Sequence, residues 1–321
     1  MDGYARVIAA PVRTGTEVRG LSVTGGGLRL ELDDDALEAA NVVVATGAYQ
    51  RPHRPAAAAA LPGELLAIDV DDYRSPAALP GGAVLVVGSG QSGCQIAEEL
   101  QLAGRDVFLA CGRAPWAART IGDRDLLWWA HETGFLDQPV ETLSDPSARL
   151  AGNIQATGAR GGHDLHYRTL QALGVTLLGH LLGASGRHAR FARDLAASVA
   201  WGDARHADFM GLVTRTCDAR GLAPPPDPDP GPLRDSAPEE LDLSGFGAVV
   251  FAAGYRPAYD AWIDVPGAFD ERGFPLHRDG ASTAAEGLHF VGVHFLRTRK
   301  SSLLIGVGED AALVAAAVAG A

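Results

Sequence analysis

Residues 83–113 read AVLVVGSGQSGCQIAEELQLAGRDVFLACGR. An apolar run, Ala83–Val87, meets GSGQSG and then a segment with Ile96, Ala97 and Leu100 on one helical face. A second apolar run, DVFLACG, follows. This is strand, glycine turn, helix, strand, with Gly88, Gly90 and Gly93 in the G-x-G-x-x-G pattern of a dinucleotide-binding turn. Gly88 permits the tight turn, Gly90 lets a pyrophosphate approach the backbone, and Gly93 lets helix and strand pack closely. A helix N-terminus has unsatisfied N–H groups and partial positive charge, which suit phosphate. Ser89, Gln91 and Ser92 can add polar contacts. About 20 residues past such a turn, an NAD site carries an acidic residue for the ribose hydroxyls. Here the stretch is LACGRAP, with no carboxylate and with Arg113. A guanidinium grips a 2′-phosphate, so the expected dinucleotide is NADPH.

Working outward, the chain has 321 residues, enough for two domains. Hydrophobic residues make up 47% and charged residues 21%, as in a soluble globular protein. A net charge of −12 argues against a nucleic-acid partner. Cys94, Cys111 and Cys217 have neither metal-site nor disulfide-framework spacing, so they read as small buried hydrophobes of a cytoplasmic protein. The N-terminus lacks an apolar stretch of signal-peptide length, and the C-terminal AALVAAAVAGA is too short to span a membrane.

EVRGLSVT and LRLEL, around GGG, predict a hairpin. Val42–Val44 reads as a strand buried on both faces, and 123–132 as a helix capped by Asp123. GVTLLGHL, FGAVVF and GLHFVGV read as strands. FARDLAASVAW and the alanine-rich C-terminus read as helices, and GLAPPPDPDPGPLRDSAPEE as a flexible loop.

VVVATGAYQRP at 42–52 and VVFAAGYRP at 249–257 share one grammar, and they flank the glycine-turn unit. With APVRTGTEVRGL, YRSPAALPGGAVLVVGSGQSGCQIAEEL and RTRKSSLLIGVGEDAALVA, this pair resembles the flavin-containing monooxygenase group, which includes Baeyer–Villiger enzymes. The likeness covers nearly the whole chain. It is nearest to a bacterial subgroup of flavoproteins linked by name to potassium transport.

The resemblance implies an α/β two-dinucleotide-binding flavoprotein fold. An NADPH-binding Rossmann domain at 80–256 would be inserted in an incomplete FAD-type domain, 1–79 and 257–321. It implies an NADPH- and FAD-dependent oxidoreductase, with hydride passing from NADPH to FAD and a C4a-peroxyflavin oxygenating a small substrate. FAD would touch Thr46 and Gly47, with Gly254 at the end of the matching strand. RKSSLLIGVGED would aim a helix N-terminus at the flavin, with Ser301, Ser302, Gly308 and Asp310 as candidates.

Two departures from the pattern stand beside it. No strand with a first glycine fingerprint precedes Tyr4. The expectation is therefore that upstream sequence, or a homo-oligomer or other partner, supplies it, or that the chain no longer handles FAD. In LPGELLAIDVDDYRSP, Leu61, Gly63 and Tyr73 fit a family motif, but Asp69 stands where a histidine is expected. The alternative reading is a non-catalytic NADPH-binding protein or subunit. In AARTIGDRD only Arg119 and Arg124 remain as cationic groups near NADPH. His163 and His166 would share a face if GHDLHYR is helical. The other histidines read as satisfied core or surface groups, Trp128 and Trp129 as core. The residues point to no metal site and no catalytic acid or base.

Overall fold

The computed structural model describes residues 2–143, 145–150, 154–234 and 236–320. The chain forms two compact units, Met1–Gln50 with Pro257–Ala321, and Arg51–Arg256. Residues 51–79, expected with the first domain, pack in the second unit. The reason is that the Leu66–Asp69 strand pairs in parallel with Phe246–Phe251.

The second unit is built on a five-stranded parallel sheet. From one edge its strands are Thr176–Leu178, Val107–Ala110, Ala83–Val87, Phe246–Phe251 and Leu66–Asp69. The chain leaves the central Ala83–Val87 strand toward one edge and later returns on its other side. That reversal is a topological switch point, where parallel α/β sheets bind ligands.

The continuous apolar run is explained by period-two alternation between two cores. Val84 and Val86 face Cys94, Ala97, Leu100 and Leu170 on one side of the sheet. Leu85 and Val87 face Leu178, Ala189, Phe191 and Phe251 on the other. The Gln91–Leu102 helix and the short Tyr167–Leu173 helix cover the first face. The second is covered by an antiparallel meander of Leu181–Ser185, His188–Phe191 and Glu240–Asp242.

In the first unit Val18–Thr24, Gly27–Leu32 and Ala36–Ala39 form an antiparallel meander. Ile263–Asp264 joins its edge in parallel. Val42–Val44 pairs in parallel with Leu288–Phe290 at the edge of a second sheet, and Val307–Ala319 is the C-terminal helix.

Four local expectations change. Val42–Val44 is not buried on both faces, because it is an edge strand with Val43 45% exposed. The helix expected from Asp123 begins at Leu126, and Asp125 caps it by accepting the Leu127 N–H at 2.8 Å. Gly122, at φ +63°, places Asp123 in the turn of a short hairpin. GHDLHYR is not one helix: His166 is the N-cap residue of Tyr167–Leu173, and His163 lies outside it. The helix expected around 191–201 runs from Leu195 to Ala219.

That last extension crosses Gly202, Asp203 and His206, which interrupt the apolar pattern. All three serve one packing site. A Cβ on Gly202 would lie 2.9 Å from the Ala114 carbonyl oxygen. Asp203 accepts from Trp116 Nε1 at 2.9 Å, and the buried His206 ring stacks on Trp116 at 4.0 Å. The described residues of the proline-rich segment from 222 to 238 form no helix or strand, and its Asp227 bonds His206 Nε2 at 2.9 Å.

Two outcomes test this packing. Leu85→Ala removes a side chain with 0% exposure and should cost about 2–5 kcal/mol in urea unfolding. Burial lowers the His166 pKa to about 4 from an ordinary 6.5. Between those values the unfolded chain binds more protons, so stability should fall as pH drops from 6.5 toward 4. His166→Asn should flatten that part of the Tm–pH profile while keeping a good N-cap residue.

Candidate functional site

The glycine turn sits at the tip of the central strand. Gly88 has φ +107°, and a Cβ there would lie 2.4 Å from the Ala252 carbonyl oxygen of the neighbouring strand. A Cβ on Gly93 would lie 1.9 Å from the Gly88 carbonyl oxygen. Both positions therefore exclude side chains for packing reasons. Gly90 differs: a Cβ would meet nothing within 4 Å. It is the N-cap of the Gln91–Leu102 helix and makes no side-chain cap bond. Open space above an uncapped helix N-terminus fits a pyrophosphate.

The side chains around the turn divide into two sets. Ser89 is buried, and its hydroxyl accepts the Gly112 N–H at 2.9 Å and meets the Tyr167 hydroxyl at 2.7 Å. Tyr167 donates to the Gly112 carbonyl at 2.5 Å, and burial pushes its pKa well up, so it stays a neutral donor. The Ser89 hydroxyl thus ties the turn to the tip of the second strand. Gln91 and Gln95 donate to the Ala156 carbonyl at 3.2 and 3.0 Å, so Gln91 braces a loop. Ser92 is exposed.

At the tip of the second strand a cavity of about 350 Å³ is lined by Arg113, His180, Asp194, Ala197 and Ser198. Asp194 accepts from the His180 backbone N–H at 3.0 Å and meets the ring Nδ1 through its second oxygen. Gly179 allows this approach, since a Cβ there would lie 1.9 Å from the Ala192 carbonyl oxygen. Sequence reading placed Arg113 here and missed His180 and Asp194, which arrive from far along the chain. The local signal was a Gly-His break in an apolar run and an Asp ahead of a helix.

In the first unit Gly47, at φ +84°, has open space where a Cβ would lie, and its carbonyl accepts the Tyr259 hydroxyl at 2.9 Å. Thr46 is exposed, and its hydroxyl accepts from Gln50 at 3.1 Å. Ser301 is fully buried and accepts the Arg297 and Thr298 N–H groups, both at 3.0 Å. Its hydroxyl shapes a turn. Ser302 meets His294 Nδ1 at 3.2 Å. Gly308 is open in the first turn of Val307–Ala319. Asp310 is 3% exposed. One of its oxygens accepts from Arg297 at 3.1 Å, and the other is buried with no hydrogen-bond partner. An orphaned buried acceptor costs about 1–3 kcal/mol, so a ligand hydroxyl would relieve it. Phe295, buried at φ +51°, adds backbone strain beside this turn, a feature that clusters at functional sites. These residues suit the polar part of a flavin dinucleotide.

In the second unit Gly254 has φ +87°, and its Cβ direction is open. Asp69 forms a bidentate pair with Arg54, at 2.7 and 3.0 Å. Arg119 pairs with Asp125 at 2.6 Å, and Arg124 stacks on Trp128 at 5.1 Å, so both cations already have protein partners. His163 meets Glu98 at 2.6 Å, and His166 packs on Trp116 at 4.6 Å, so the two do not line one pocket. Cys94, Cys111 and Cys217 are free and buried. Among the described residues no group of three or more His, Cys, Asp or Glu is placed to hold a metal.

Residues 1–126 match the family model described as pyridine nucleotide-disulphide oxidoreductase. The chain is 26% identical to "Uncharacterized oxidoreductase CzcO-like" of Geobacillus kaustophilus, over 97% of this chain and 74% of the relative. "Uncharacterized oxidoreductase CzcO" of Bacillus subtilis is 25% identical, over 96% and 73%. Among solved structures, the flavin-containing monooxygenase from Stenotrophomonas maltophilia superposes with a TM-score of 0.63 at 17% identity, covering 99% of this chain and 75% of that one. The ornithine N-hydroxylase of Kutzneria sp. 744 superposes at 0.58 and 15%, over 99% and 74%. The fold is that of the two-dinucleotide-binding flavoproteins.

The three glycines should separate on substitution. Gly88→Ala and Gly93→Ala should each lower Tm, because each Cβ meets backbone. Gly90→Ala should melt near wild type yet weaken nucleotide binding about tenfold or more, measured by nucleotide fluorescence, about 1.4 kcal/mol.

Proposed function

We propose, from its likeness to pyridine nucleotide-disulphide oxidoreductases and to the fold of flavin-containing monooxygenases, that the chain is an NADPH- and FAD-dependent oxidoreductase of monooxygenase type acting on a small molecule. The observation that carries the reading is the open Gly90 turn at the switch point, with the Arg113 cavity at the tip of the adjacent strand. Backbone N–H groups at the start of Gln91–Leu102 hold the pyrophosphate. Arg113, exposed in its cavity, holds the 2′-phosphate. In the first unit Gly47 offers a close backbone approach, Asp310 a buried acceptor, and Val307–Ala319 a helix N-terminus for the negative charge that develops on a reduced flavin ring. Bound flavin would supply the two-electron relay between the dihydropyridine and oxygen. No described helix is long and apolar enough to cross a membrane. With three free cysteines the reducing cytoplasm is the proposed compartment.

One observation favours a second reading, a non-catalytic NADPH-binding protein. Asp69, at the position where the family motif has histidine, is locked to Arg54. The two readings part in one assay. An oxidoreductase should bind added FAD, show flavin absorbance and consume NADPH with oxygen uptake. A colourless protein that binds NADPH and leaves it unoxidised in the presence of FAD would establish the second reading. Arg113→Ala should weaken NADPH binding about tenfold to hundredfold, from charge-assisted bonds of about 1.5–3 kcal/mol, and leave NADH unchanged. Equal loss for both nucleotides would remove the role given to Arg113.

A further inference from the structure

We propose that His180, held by Asp194, is a second 2′-phosphate ligand beside Arg113, and that it engages only when its ring is doubly protonated. The proposal rests on the reading that a pyridine dinucleotide lies on the glycine turn, and it adds a specificity residue to that site.

Three observations carry it. First, placement: His180 and Arg113 line the same cavity. A Cβ built on Gly112 would lie 3.1 Å from His180 Nε2, so that nitrogen stands over the strand tip. Gly112 is joined to the glycine turn through Ser89. Second, orientation: Nδ1 is engaged by Asp194, which also receives the His180 backbone N–H. The ring cannot turn without breaking that contact. Third, a local sacrifice: Asp194 is the N-cap residue of the 25-residue Leu195–Ala219 helix, yet it makes no side-chain cap bond. Its carboxylate is committed to His180.

The chemistry follows from the tautomer. Asp194 stays ionised: burial works to raise its pKa, but the bonds from the His180 backbone and ring outweigh it, and the net direction is down. An ionised carboxylate at Nδ1 keeps the proton there. The neutral ring then presents a lone pair at Nε2, which repels a phosphate oxygen. A second proton turns Nε2 into a donor and makes the ring a cation. NADPH binding therefore takes up a proton at Nε2, with no covalent change. NADH offers a ribose hydroxyl, which can donate to the neutral ring, so its binding needs no proton.

The groups facing the ring from the surrounding elements are few. Arg113 comes from the second strand tip and Asp194 from the start of the long helix, where Ala197 and Ser198 are uncharged. Arg193, next along, pairs with Glu239. Burial pushes the Cys111 thiol well up, so it is neutral.

The test is to measure NADPH and NADH dissociation constants by nucleotide fluorescence between pH 6 and 8.5, in wild type, His180→Gln, Asp194→Asn and Arg113→Ala. Calorimetry at pH 7.5 in two buffers of different ionisation enthalpy counts the protons. A phosphate monoester loses its second charge near pH 6, which opposes the effect, so each slope is read against His180→Gln. The expected result is a preference for NADPH that rises about fivefold to tenfold more in wild type than in His180→Gln as pH falls. Wild type should take up a fraction of a proton with NADPH and none with NADH. Asp194→Asn, folded by circular dichroism, should weaken NADPH binding toward the level of His180→Gln, because the ring loses the carboxylate that holds it over the strand tip.

Identical slopes and proton counts in wild type and His180→Gln would overturn the proposal. If Arg113→Ala still lost its NADPH preference in that case, the nucleotide site itself would stand. A wild-type preference for NADH that Asp194→Asn abolishes would also overturn it, by assigning the carboxylate to the ribose. Failure of wild type to bind either nucleotide would remove the site and the proposal together.

Discussion

The second unit depends on one close approach, the Gly93 Cα lying against the Gly88 carbonyl at the tip of the central strand. With no Cβ on either residue, the helix starts directly over the strand end. That contact fixes where the helix N–H groups point. The space where a Gly90 side chain would lie is open. Packing and ligand access are thus settled by the same three residues, in opposite ways.

Around this turn, polar groups are paired in a manner that clears the cavity for a few charges. Ser89, Tyr167 and Gly112 bond to one another. Arg119 and Arg124 have partners in the protein. What faces the cavity at the second strand tip is Arg113 with the His180–Asp194 pair. A single-residue reading of charge near a nucleotide would have weighted all the arginines alike. In the first unit the imbalance is opposite: a buried Asp310 oxygen has no partner, beside a helix N-terminus whose Gly308 is open. An unmet hydrogen-bond demand in a buried place is a physical reason to expect a ligand there.

The departures from sequence expectation share a cause. A strand's burial depends on its neighbours, and Val42–Val44 has a paired strand on one side in its sheet. The helix from Leu195 continues through Gly202, Asp203 and His206 because Trp116, distant in sequence, supplies a stacking face and an N–H donor. The cap at Asp125 in place of Asp123 follows from a hairpin that the left-handed Gly122 imposes. Each miss is a case of tertiary contact outweighing local pattern.

The amino-acid order alone determined the strand–turn–helix of residues 83–102, the parallel α/β class, the matching strands at 42–44 and 246–251, and Arg113 at the second strand tip. Those features are local: apolar runs, glycine spacing and position relative to a turn need no distant partner. Only the folded chain decided that Ser89 and Ser301 bind the protein's own backbone, and that Asp310 is buried with an oxygen unmet. It also brought His180 and Asp194 to the Arg113 cavity from about 70 and 80 residues further along the chain. Side-chain direction and convergence are set by which strands neighbour each other, and strand order in a parallel sheet is not written in any one segment.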